Sequence, residues 1–66
     1  GGDVAVAIVV DNRGYVRNAT VIPHRSSTDI CLQEYATRAA MRSRFTASTK
    51  APSRQTGEII YRFIAQ

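Results

Sequence analysis

His24, Asp29 and Cys31 are the residues of this chain whose types would combine into a thiol nucleophile and its base. Such chemistry needs the fold to bring the three together beside an oxyanion site, and the sequence carries a signal for neither. His24, next to Pro23, reads instead as a strand-end residue, and Cys31 as a small helix residue. The acids Asp3, Asp11, Asp29, Glu34 and Glu58 are scattered over different segments without metal-ligand spacing. "DNRG", residues 11–14, is a hairpin turn rather than a phosphate loop. No catalytic residue, metal or cofactor is therefore expected, and the chain is read as a non-enzyme.

Charge raises a second kind of chemistry. Nine Lys and Arg stand against five Asp and Glu, a net charge of +4. Such a balance permits attraction to nucleic acid or an anionic membrane but does not demonstrate it. In "AMRSRF", residues 40–45, two arginines follow a methionine, and with Arg38 they form a candidate basic patch: Arg38, Arg42 and Arg44. The other cations are spread over every element, and at least three of the five aromatic residues are expected in the core rather than exposed for stacking. The simpler account places Arg42 and Arg44 at a helix C-terminus, where positive charge complements the macrodipole. No nucleic-acid partner is expected.

The elements that position these groups follow from hydropathy. At 66 residues and 44% hydrophobic composition the chain is one small domain. Its longest apolar run, residues 4–10, is too short to span a bilayer, and it opens with Gly1-Gly2 rather than Met, so we expect a domain excised from a longer protein whose targeting segments lie elsewhere. Val4, Val6, Ile8 and Val10 alternate with Ala5, Ala7 and Val9, so both faces of the first strand are apolar, as suits a central position. A second strand begins at Tyr15. Its inward residues Val16, Ala19 and Val21 are unevenly spaced, which predicts a β-bulge near Arg17–Asn18. Pro23 ends it.

"SSTD" then starts a helix, with Ser26 and Asp29 at capping-box spacing. The helix is expected from about Asp29 to Arg44, with Leu32, Tyr35, Ala36, Ala39 and Ala40 on one stripe that continues toward Phe45. Residues 46–56 read as a loop, and Gly57 opens the last strand. There Ile59, Tyr61 and Phe63 face one way, and Glu58, Ile60, Arg62 and Ile64 the other.

The resulting fold class is α+β, in the order β-β-α-β. A three-stranded antiparallel sheet of order 2-1-3 carries one helix on one face. The last strand then lies at an edge with one row of backbone groups unpaired. Such an edge is either blunted, a role Glu58 and Arg62 would serve here, or it takes up a partner's extended segment as an added strand. Glu58, Ile60, Arg62 and Ile64 are the partner-binding candidates. Ala5, Ala7, Val9, Ile60 and Ile64 are expected together on the sheet face that no helix covers.

Taken in order, "VAVAIVVDNRGYVRNATVIPHRSS", "CLQEYATRAAMRSRF" and "QTGEIIYRF" resemble the C-terminal domain of TonB, the energy transducer of the Gram-negative envelope. The resemblance covers nearly the whole chain. The chain departs from the family pattern at Ser43, where a tryptophan is common, and lacks a proline just after Phe45.

The resemblance implies a periplasmic domain tethered to the inner membrane. Its partners would be TonB-dependent outer-membrane receptors, through strand addition, and the ExbB–ExbD complex, through a region outside this sequence. Its role would be mechanical, passing force from the proton-driven motor to a transporter. Edge pairing between copies would give a homodimer. The alternatives are a small basic domain that binds nucleic acid or anionic membrane, and a TonB-like connector or regulatory domain with another envelope partner.

Overall fold

The computed structural model describes residues 2–46, 50 and 53–64. Strand β1 (Gly2–Val10) is central in a three-stranded sheet of order β2-β1-β3, with β2 at Val16–Val21 and β3 at Gln55–Phe63. Both neighbours run antiparallel to β1. This is the expected topology. Its cause is visible in β1, since a strand apolar on both faces loses least when flanked on both edges.

Asp11 closes the hairpin from within. Its Oδ1 accepts the backbone N–H groups of Arg13 (2.9 Å) and Tyr15 (3.0 Å). Gly14 adopts φ 89°, a conformation that L side chains rarely take. Beyond the turn, Val10 pairs with Val16 while Val9 pairs with Asn18, so Arg17 is the extra residue of a bulge. It lies where the uneven spacing placed it, and it restores Ala19 and Val21 to the inner face.

Helix α1 spans Ile30–Arg42. Two details differ from expectation. Asp29 alone caps it, accepting from the N–H groups of Cys31 and Leu32. Ser26 instead belongs to the sheet: its Oγ accepts from the N–H of Ala5 at 2.9 Å and donates to the carbonyl of Ile22 at 2.7 Å. The helix also stops two residues before Arg44. Ser43 turns to extended backbone (ψ 148°), and the N–H of Phe45 donates to the carbonyl of Gly14 at 2.8 Å. Tertiary contact with the hairpin turn outweighs the helical preference of residues 43–45.

Val4, Val6, Ile8, Val16, Ala36 and Ala40 form the core, with Leu32, Ile59, Tyr61 and Phe63 packed against it. The helix lies mainly over β1 and β2 and touches β3 little. Tyr35 and Phe45, expected on the buried stripe, are therefore largely exposed, Tyr35 by 64%. Tyr35 meets β3 only through an edge-on contact with the Phe63 ring, centroids 5.7 Å apart.

Gln55 and Thr56 extend β3 two residues ahead of Gly57, because β1 offers pairing partners as far as Val10. Residues 47–49 and 51–52 of the expected loop lie outside the described residues.

Candidate docking edge

The hydrogen-bonding sense of each β3 residue can be derived from β1. Ala5 donates to Ser26 Oγ and accepts from the N–H of Ile22, and the carbonyl of Asp3 accepts from the N–H of Ser27. Odd-numbered residues of β1 thus turn their backbone groups toward β2. Even-numbered ones turn theirs toward β3, since backbone direction alternates along a strand. Val4↔Tyr61 and Val6↔Ile59 are then the hydrogen-bonded pairs. Their neighbours Thr56, Glu58, Ile60 and Arg62 direct N–H and C=O to the outer flank. Among the described residues no backbone bond reaches that flank.

On its other side β1 runs on past the end of β2. Beyond the end of β2, a short 3-10 turn at Pro23–Arg25, with Ser26 and Ser27 after it, seals β1. At the far end of β2, Tyr15 forms an isolated bridge with Arg44. Among the described residues the outer edge of β2 (Val16–Val21) carries only the Tyr15 bridge at its end, and the outer flank of β3 (Gln55–Phe63) is the longer open ledge of the two.

Three of the four partner-binding candidates stand on this ledge. Glu58, Ile60 and Arg62 all project from the face opposite the helix and are exposed, Ile60 by 48%. Ile64 does not belong with them. The strand ends at Phe63, opposite Gly2, and Ile64 is 78% exposed past it.

The face is also less bare than expected. Arg25 Nη1 reaches Glu58 Oε2 at 2.7 Å, and since Glu58 sits opposite Ala7, the guanidinium crosses the small side chains of β1. Ala5 is wholly buried. Arg62 Nε lies 3.4 Å from Asp3 Oδ1, its neighbour in the ladder. Both ion pairs are solvent-exposed, so they orient the side chains more than they stabilise the sheet.

On the helix side, Ile59, Tyr61 and Phe63 are only half-buried. An added strand would meet an apolar row on that side and a charged, polar row on the other.

The basic patch is not assembled as expected. Arg38 and Arg42 flank one shallow groove with Tyr35 and Ala39. Arg44 leaves them, its guanidinium carbon 3.8 Å from the centre of the Tyr15 ring. That geometry is a cation–π stack, which the change of chain direction at Ser43 makes accessible. His24, Asp29 and Cys31 are all exposed, and the Asp29 carboxylate is engaged in capping the helix. Among the described residues no group of three or more His, Cys, Asp or Glu is arranged to hold a metal ion.

Sequence reasoning missed the Arg25–Glu58 contact and the role of Ser26, since both join segments distant in sequence. Comparison of the chain with protein-family models, with curated proteins and with solved structures finds no match in any of the three.

Proposed function

We propose that the outer flank of β3 receives an extended segment of a partner protein, and that the chain is the docking domain of a TonB-type energy transducer. The outward amides of Thr56, Glu58, Ile60 and Arg62 carry this reading. Strand addition draws its affinity from such main-chain groups and its specificity from alternate side chains. In this reading the domain lies in the periplasm, tethered to the inner membrane. It pairs with the N-terminal segment of a TonB-dependent outer-membrane receptor and passes on force from the ExbB–ExbD motor. A TonB-like connector or regulatory domain would use the same ledge with another envelope partner.

Ile60→Pro tests it. Proline is tolerated on an edge where the N–H points to solvent, so the fold should survive while an outward donor is lost. A synthetic peptide copying the receptor segment should bind the parent chain in calorimetry, with little dependence on salt, and should fail to bind the variant. Steep salt dependence would indicate phosphate-type or surface-charge binding instead. Normal peptide binding by a folded Ile60→Pro, or no binding by the parent, overturns the proposal.

A further inference from the structure

Arg13, Arg17 and Arg54 come from the hairpin turn, the bulge of β2 and the approach to β3, yet all three line one hollow of about 530 Å³ with Asp11, Asn12 and Ser53. The convergence is tertiary, since Arg54 lies 37 residues beyond Arg17 in the chain. Three arginines share the hollow with a single carboxylate, and that carboxylate is already committed. Asp11 Oδ1 accepts two backbone N–H groups, and Oδ2 stands 4.0 Å from Arg17 Nη1. Among the described residues neither Arg13 nor Arg54 has a carboxylate within ion-pair distance.

Like charges gathered in one concavity repel, and the repulsion is relieved when an anion enters. The bulge contributes directly, because the extra residue it inserts is Arg17, and bulges commonly re-aim a side chain.

We infer that this hollow is an anion site that takes a phosphate group. The forked guanidinium matches phosphate oxygens in geometry and charge, and Asn12 and Ser53 supply neutral donors on the rim. The hollow is wide open to solvent, so a group attached to the phosphate would not be excluded. A free phosphate compound and a phospholipid headgroup present the same chemistry. The site is separate from the outward amides of β3 and does not depend on the docking proposal.

Amide NMR spectra of the whole chain, titrated with inorganic phosphate, test the inference. Shifts should concentrate at residues 11–17 and 53–54, and Arg17→Gln and Arg54→Gln should each weaken binding about tenfold. The double variant Arg38→Gln/Arg42→Gln removes more charge from elsewhere and should leave binding within about twofold if position rather than net charge matters. A parallel flotation assay with vesicles of equal parts phosphatidylcholine and phosphatidylglycerol distinguishes the source. Flotation lost in Arg17→Gln assigns a lipid headgroup; phosphate binding without flotation assigns a soluble phosphate compound. Absence of localised shifts in the parent chain, or equal weakening by the Arg38/Arg42 pair, overturns the site. Peptide binding at β3 should be unchanged in Arg17→Gln, so failure here leaves the docking test intact.

Discussion

Arg25 and Glu58 stand 33 residues apart in the chain and meet at 2.7 Å across the central strand. The contact is possible because Ala5 and Ala7 leave room above β1, and it ties the turn after β2 to the edge strand on the far side. Each partner's side chain is 47% exposed, so the pair contributes at most about 1 kcal/mol in water. Arg25→Ala should therefore lower stability by less than about 1 kcal/mol in urea denaturation. Glu58→Ala should do much the same, and the double variant should lose less than the sum of the two. Strict additivity would show that the two side chains are not coupled.

Ala36 and Ala40 are completely buried where the helix meets the sheet, whereas Ala39 is only half-buried beside Tyr35 and Arg42. Ala36→Leu should cost about 1–3 kcal/mol by overpacking that contact. Ala39→Leu should cost distinctly less, because its side chain has a groove to enter. Equal losses for the two in thermal unfolding would place the helix in a different rotation.

Gly14 and Gly57 invite opposite outcomes from the same substitution. A Cβ at Gly14 would sit 1.9 Å from the carbonyl oxygen of Phe45 and would force φ 89° on an alanine. Gly14→Ala should destabilise by about 2 kcal/mol or more and disturb the segment that carries Arg44. At Gly57 the nearest atom to a new Cβ is Ile8 Cγ1 at 3.7 Å, an ordinary contact. Gly57→Ala should stabilise by about 0.5–1 kcal/mol, mainly by restricting the unfolded chain. Paired melting curves of the two variants check both signs.

The Asp11 carboxyl titrates below its ordinary value. Burial acts to raise it, but the N–H groups of Tyr15 and Arg13 and the positive charges of Arg17 and Arg13 together outweigh that effect. A depressed folded-state pKa contributes stability above the unfolded value, and this is lost as pH falls through the folded one. Its loss should thus begin near pH ~4 and proceed downward. Asp11→Asn keeps an oxygen for the two N–H groups but cannot titrate, so it should flatten that part of the acid unfolding profile. An unchanged profile would mean that Asp11 is not a source of the acid sensitivity.

Much of the architecture was legible because it rests on local signals. The doubly apolar run from Val4 to Val10 indicated a central strand, and Asp11 and Gly14 the turn. The spacing of Val16, Ala19 and Val21 placed a bulge near Arg17–Asn18, since side-chain alternation has a period of two and one extra residue breaks it, and the register puts it at Arg17. The candidate edge was legible for a related reason: once a doubly apolar strand takes the centre, the last strand must lie outside it. Which residues turn their amides outward was not legible, because either phase satisfies the same hydropathy pattern. That phase follows from the bonds of Ala5 and Asp3 to the 3-10 turn and the two serines after it.

The sequence by itself determined the order of elements, the centre of the sheet and the Leu32, Ala36 and Ala40 part of the helix's buried stripe, because each depends on residues close enough along the chain to share one strand or one helical turn. Only the tertiary structure decided that Ser26 serves β1 instead of capping the helix, that Arg44 leaves the helix to stack on Tyr15, and that Arg13, Arg17 and Arg54 share one hollow. Each of these joins positions remote in sequence, where the energy of a single contact overrides a local preference of comparable size. Side chains with several nearly equal local options are settled by whichever distant partner the fold brings within reach.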